Sequence, residues 1–315
     1  MNKRTANPLQ LAQNWFEQER KLALVTVLSV WGSAPRPAGS HLICDDQGNF
    51  EGSVSGGCIE AEVIAQALDV LATGQTRDLS FGISDETAWS AGLSCGGTIR
   101  LLIAPYDAAM HEMVTQIVQA QTQRQRVTSH TVLTNGHISL IPTPDNAKIT
   151  QLDETGFIQT YRPQPHIVVI GAVHIAQALA QMVRITGYDL SIHDPRSGFA
   201  TAERFPSVKL HETWPEEFFK THQPDSFTAL VALSHIPHLD DPALSAALNS
   251  DCFYIGALGS RKTHAKRLDR LTAAGFEATN LQRIHAPIGL AISAQEPAEI
   301  ATAILAETIQ AYRKA

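Results

Sequence analysis

Apolar and polar positions follow two different rhythms along this chain, and the change falls just after residue 160. In the first half the periodicity is mixed. Leu11, Ala12, Trp15 and Phe16 recur at helical spacing behind Asn7 and Pro8, a capping residue and a first-turn proline, so a helix is expected over residues 8–20. Leu22–Trp31 is a dense β-branched run and reads as a buried strand. Gly32–Gly39 is a loop, and His41–Cys44 and Phe50–Val54 form a hairpin around the Asp/Gly/Asn cluster between them. Cys58–Ala72 is spaced as a helix and Thr98–Ala104 as a strand. A helix near 108–122 then precedes short strands at Val127–Leu133, His137–Ile141 and Gly156–Tyr161, which suggest an appended sheet or hairpin. Pro163 and Pro165 mark a linker.

Beyond it, strand and helix alternate. Strands are expected at His166–Ile170, Tyr188–His193, Val208–Glu212, Phe227–Leu233 and Phe253–Ala257. Helices are expected at Ala172–Gly187, Pro215–His222, Leu239–Asn249, Ser260–Ala274 and Pro297–Lys314. That alternation predicts a parallel, doubly wound sheet. The expected class is therefore α/β, with an N-terminal domain over 1–162 and a Rossmann-like C-terminal domain over 163–315. Residues 107–162 form an appended part of the first.

Composition narrows the function. The 315 residues are 44% hydrophobic and 17% charged, an ordinary globular balance, and the formal net charge is -7. An acidic chain is ill suited to nucleic acid or to membrane surfaces, both polyanionic, so neither is expected as a partner. There is no signal-peptide pattern and no apolar run of membrane-spanning length, which makes the cytoplasm the expected compartment. The four cysteines, Cys44, Cys58, Cys95 and Cys252, form no close pair. That spacing argues against zinc and against a disulfide framework.

Four segments carry candidate chemistry. In Gly52–Glu60 a strand runs through Ser55, Gly56 and Gly57 into a helix, where free N–H groups attract anions and would favour a Cys58 thiolate. A tight turn around a buried, inert Cys58 is the alternative. Gly92–Thr98 nearly repeats the pattern with Cys95, Gly96 and Gly97; if both loops face one cleft, the two thiols can meet a soft or sulfur-bearing ligand. Val168–Ala176 stands where a dinucleotide loop belongs, with Gly171 and His174 in place. Val173 occupies the position of the second glycine and would crowd a pyrophosphate. Asp194, at the end of the next strand, is placed to bond a ribose hydroxyl. In Tyr254–Arg267, Gly256, Gly259 and the natural cap Ser260 lead into a helix that opens with Arg261 and Lys262. Cations there oppose the helix dipole, which points to an anionic ligand; Lys266 and Arg267 read as a solvated basic face. Arg36 and His285 sit on proline-containing loops and are weaker candidates, and His235 and His238 read as structural or solvated.

Taken in order, Gly32–Gly39, Gly52–Glu60, Gly92–Thr98, Asp194–Arg196, Arg204–Pro206, Tyr254–His264 and Ile284–Gly289 resemble the XdhC/CoxI family over most of the chain. Its members are accessory proteins of xanthine dehydrogenase and related molybdenum hydroxylases. The resemblance implies an XdhC-type N-terminal domain, a C-terminal Rossmann domain, and binding of molybdenum cofactor as molybdopterin or its dinucleotide. It also implies a chaperone, more than a turnover enzyme, that supports sulfuration by a cysteine-desulfurase-type partner and inserts the cofactor into an apoenzyme. Members are often dimeric. By position the cysteine motifs fall on Cys58 and Cys95 and the anion loop on Gly256–Lys262, with Cys58 a candidate contact for molybdenum. Gly171-Ala172-Val173-His174 departs from the family's Gly-Ala-Gly-His loop. The rival reading is an NAD(P)-dependent oxidoreductase built on the Rossmann half; a thiol-based redox sensor is a third.

Overall fold

The computed structural model describes residues 7–32, 36–83 and 97–314. The chain divides into two compact units, Met1–Pro163 and Gln164–Ala315. The first begins with α1 (Pro8–Glu17), capped by the Asn7 side chain accepting from the Leu9 N–H at 3.1 Å. A five-stranded antiparallel sheet follows, built from β1 (Leu22–Gly32), β2 (His41–Asp45), β3 (Phe50–Gly52), β4 (Arg77–Ile83) and β5 (Gly97–Tyr106) in the order β3-β2-β1-β5-β4. α2 (Glu60–Thr73) turns Val63, Ala67 and Val70 onto one face of this sheet, against Val25, Val27 and Leu101. α3 (Ala108–Thr122) and α1 cover the other face through Leu9, Ala12, Val114 and Ile117. A four-stranded antiparallel sheet completes the unit, with β6 (Val127–Thr131), β7 (Ile138–Ile141), β8 (Thr150–Leu152) and β9 (Phe157–Tyr161) in the order β7-β6-β9-β8. β4 has no counterpart in the sequence reading: Leu79 and Phe81 alternate with polar residues, but Arg, Asp, Ser and Gly dilute the strand signal.

The second unit holds a six-stranded, wholly parallel sheet. Its strands are β10 (His166–Ile170), β11 (Asp189–His193), β12 (Lys209–His211), β13 (Thr228–Ala232), β14 (Tyr254–Ala257) and β15 (Ile284–His285), ordered β12-β11-β10-β13-β14-β15. Counted within the unit this is 3-2-1-4-5-6, the doubly wound dinucleotide-fold order. β10 shows why its sequence is apolar throughout. Ile167 and Val169 face α4 (His174–Thr186) and α9 (Pro297–Lys314), while Val168 and Ile170 face α6 (Pro237–Leu248) and α7 (Arg261–Ala273). α5 (Pro215–Thr221) and the short α8 (Ala278–Leu281) fill the remaining connections. β15 is two residues long, in a segment whose sequence reads as a rigid loop. No helix among the described residues is long and apolar enough to cross a membrane.

Candidate functional site

The loop Ser53–Ile59 is organised by a carboxylate of its own. Glu60, the first residue of α2, is 7% exposed. Its Oε1 accepts from Ser53 Oγ at 2.8 Å and from the N–H groups of Val54 and Ser55 at 3.2 and 2.9 Å. Its Oε2 accepts from the Gly57 N–H at 2.8 Å and from Ser55 Oγ. Burial pushes this carboxyl up, but the hydrogen bonds from Ser55 and Ser53 more than offset it and hold it at about 2. The Gly56 N–H is taken by Ser53 Oγ and the Ile59 N–H by Ser55 Oγ. N–H groups expected to meet an outside anion are thus turned inward, those of Val54, Ser55 and Gly57 onto the Glu60 carboxylate and those of Gly56 and Ile59 onto serine hydroxyls that themselves donate to it. α2 starts at Glu60, so Cys58 lies ahead of the helix and not in its first turn. What the loop presents outward is the Cys58 side chain, exposed and free, with Gly56 and Gly57 exposed beside it. Cys44 and Cys252 are buried, and burial pushes both thiols up to about 11. Cys95 and Gly96 lie outside the described residues; Gly97 opens β5, buried and paired with Gly32.

In the second unit the candidate residues gather at the carboxyl ends of the strands, where the order reverses between β10 and β13. Gly171 follows β10 with φ +105, and a Cβ there would stand 2.8 Å from the backbone N and Cα of Ser234, beyond β13. This glycine lets two strand ends close on each other. Gly171→Ala is expected to cost about 2–4 kcal/mol, since both the left-handed backbone and the contact oppose it; urea denaturation checks this. Asp194 is fully buried, and both of its oxygens are engaged. Oδ2 accepts from the Ala172 N–H at 2.8 Å and Arg196 Nη2 at 2.5 Å; Oδ1 accepts from Arg196 Nε at 2.8 Å and the Arg196 N–H at 3.1 Å. Burial raises this carboxyl and the Arg196 and Ala172 hydrogen bonds bring it below the usual range. The Arg196 guanidinium lies over the Phe199 ring at 3.9 Å. His174 is exposed at the start of α4, and Val173 packs against the core beneath it. Gly256 lies within β14, where the space of its missing Cβ is filled by Ile288 and Tyr254.

A cavity of about 300 Å³ opens between the first turn of α6 and the face of α7 that runs from Lys262 to Arg270. It is lined by His235, Asp240, Lys262, Lys266, Arg267 and Arg270, with Pro237 and Thr263. Ser260 caps α7 by accepting from the Thr263 N–H at 3.2 Å, and Gly259 precedes it at φ +137. Arg270 is spent on Asp241 through two bonds of 2.5 and 2.9 Å. Arg267 is not the solvated residue that the sequence suggested: its side chain is 2% exposed. Nη2 donates to the Leu258 carbonyl at 2.9 Å and lies 4.0 Å from Asp240 Oδ2, while Nε and Nη1 are buried with no acceptor. Asp240 accepts from Ser234 Oγ at 2.7 Å, and burial pushes its carboxyl up. Of the residues singled out in advance, Ser260 and Lys262 belong to this corner and Arg261 is exposed at the helix start. Glu60, Ser234, Asp240 and the role of Arg267 were missed. Only Arg267 carried a legible signal, its i, i+4 spacing from the buried Leu271.

The order of the parallel sheet and its crevice at the switch point define a Rossmann-type domain, joined here to a unit that displays a free thiol on a carboxylate-locked loop. The chain belongs to the XdhC and CoxI family: the family model matches residues 15–82, and the XdhC Rossmann domain model matches residues 167–308. The Escherichia coli protein named "Molybdenum cofactor insertion chaperone PaoD" is 30% identical over 90% of this chain and 81% of its own length. A Bacillus subtilis protein named as a probable subunit of xanthine dehydrogenase is 27% identical over 95% of this chain and 96% of its own length. A crystal structure from Bacillus halodurans, described as a xanthine dehydrogenase, superposes with a TM-score of 0.81 over 98% of this chain and 96% of that one. At 22% identity it bears on the fold alone.

Proposed function

We propose that this protein is a molybdenum cofactor insertion chaperone serving a xanthine dehydrogenase-type molybdenum hydroxylase. The observation that carries the reading is the Cys58 thiol, exposed on a loop that Glu60 holds from below, in a chain 30% identical to a named insertion chaperone. Each unit carries a group suited to part of such a ligand. The Cys58 thiol of the first unit suits molybdenum as a soft ligand, and the cationic corner of α7 in the second suits a phosphate. When bound, the cofactor supplies the molybdenum centre that the target enzyme uses. The chain's residues hold it: Cys58, with Cys95 as the second thiol, at the metal end. Its compartment is the cytoplasm, and it works as a homodimer with an apoenzyme and a cysteine-desulfurase-type sulfur donor as its partners. The cofactor is molybdopterin or its dinucleotide form.

NAD or NADP is the weaker occupant. Val173 stands at the second glycine position of the β10–α4 loop, and the Asp194 oxygens that would take a ribose hydroxyl already serve Arg196 and Ala172. The test is anaerobic loading with molybdenum cofactor, read by metal analysis and pterin fluorescence after release. Wild type retains it near stoichiometrically. Cys58→Ala loses most of it while unfolding within about 0.5 kcal/mol of wild type, because the side chain is exposed. Retention unchanged in that variant removes Cys58 from the site; binding of NAD or NADP with no cofactor retention overturns the chaperone reading.

A further inference from the structure

We propose that the cavity between α6 and α7 is a phosphoryl-anion site, in which the buried Arg267 guanidinium binds a phosphate or diphosphate group and Lys262 and Lys266 supply further charge. Two of the guanidinium's nitrogens, Nε and Nη1, are buried without an acceptor among the described residues. Leaving such donors unmade costs about 1–3 kcal/mol each, which a ligand in the cavity would relieve. The ligand is anionic because the lining is cationic. Lys262 and Lys266 have no carboxylate partner among the described residues, and at the Lys262 end the first turn of α7 adds the positive end of its dipole. Asp240, the one carboxylate among the described lining residues, does not compete. It sits by Nη2, the nitrogen already given to Leu258, and takes the Ser234 hydroxyl with its other oxygen. It orients the guanidinium through Nη2 and does not occupy Nε or Nη1.

The volume, about 300 Å³, is at the lower end for ligand sites and suits a phosphate or diphosphate head more than a whole nucleotide. The site adjoins the glycine loop after β10 through Ser234, which touches Gly171 and donates to Asp240, but its cationic lining comes from α7 and not from that loop, where a dinucleotide fold ordinarily takes its pyrophosphate. It rests on the chaperone reading only for the source of that phosphate, the ester group of the pterin cofactor. The anion site itself stands on Arg267 and its surroundings.

The test titrates inorganic phosphate and pyrophosphate into the full chain by calorimetry, with no cofactor present. Wild type binds at least one of them. The exposed double variant Lys262→Ala/Lys266→Ala weakens binding by at least about tenfold, and Arg267→Lys does the same by losing the buried hydrogen bonds. If Arg267→Lys fails to fold, the double variant decides. Tighter binding of pyrophosphate than of phosphate assigns the site to a diphosphate, and equal binding to a monoester. No binding of either anion at millimolar concentration, or binding unchanged in the double variant, overturns the proposal. Anion binding without cofactor retention keeps this site and rejects the chaperone reading; the reverse result does the opposite.

Discussion

Glu60→Ala is expected to lower the unfolding free energy of the N-terminal unit by about 3 kcal/mol and to abolish cofactor retention although Cys58 is intact. The substitution strips an acceptor from the N–H groups of Val54, Ser55 and Gly57 and from two serine hydroxyls. Val54 and Ser55 are fully buried, so water cannot replace the carboxylate there, whereas exposed Gly57 regains a partner from solvent. That difference keeps the loss below the sum of the separate bonds. Glu60→Gln keeps the shape but turns an amide against inward-pointing donors, and falls between wild type and Ala.

The same carboxylate sets an acid limit. Held at about 2 against an ordinary 4.5, it is ionised in the folded protein while the unfolded chain takes up a proton. Its contribution is present above pH 4.5 and drains away as pH falls toward 2. The linkage is worth about 2 kcal/mol after allowing for solvent at the loop's outer side. Buried His41 acts in the same direction at higher pH. Burial lowers it from 6.5 to about 4, so the unfolded state binds the proton first and stability falls as pH drops below 6.5. Urea midpoints measured from pH 7 to 3 on wild type and Glu60→Gln check both. Parallel curves for the two proteins below pH 4.5 would remove Glu60 from the account.

The parallel sheet was legible because burial on both faces forces unbroken apolar runs such as Ile167–Ile170, which a single sequence shows plainly. β4 was not, since it carries Arg77, Asp78 and Ser80 among its apolar positions, and β15 is too short to have a pattern. The site was legible as positions and not as roles. Ser55–Cys58 looked like an anion cradle because glycines and a helix start were visible; that the anion is Glu60 depends on how the loop folds back on itself. Lys266 and Arg267 are both basic residues on a charged helix and both line the cavity, and only the angular position beside Leu271 buries the Arg267 guanidinium while Lys266 stays exposed.

Asp194→Ala is expected to destabilise the Rossmann unit by about 3–4 kcal/mol, the second large effect. The wild-type carboxylate is fully buried and ties three things together: the β11 end, the Ala172 N–H of the β10–α4 loop, and the Arg196 guanidinium. Without it the Ala172 N–H is left buried and unpaired, and Arg196 keeps only its place over Phe199 and its access to water, with 29% of its side chain exposed. That access limits the cost, since the stranded cation can hydrate. Asp194→Asn preserves one oxygen but sets an NH₂ group against a guanidinium, and is expected to lose about half as much. A nucleotide-binding aspartate at this position would behave differently: its removal would weaken NAD affinity and leave the apo-protein's stability nearly untouched. Thermal unfolding of wild type and both variants, with and without millimolar NAD, separates the two roles. A clear drop in midpoint in the absence of NAD, with no added stabilisation of wild type in its presence, fits a carboxylate that holds the crevice shut. Stability equal to wild type in Asp194→Ala would mean that Asp194 faces a ligand after all.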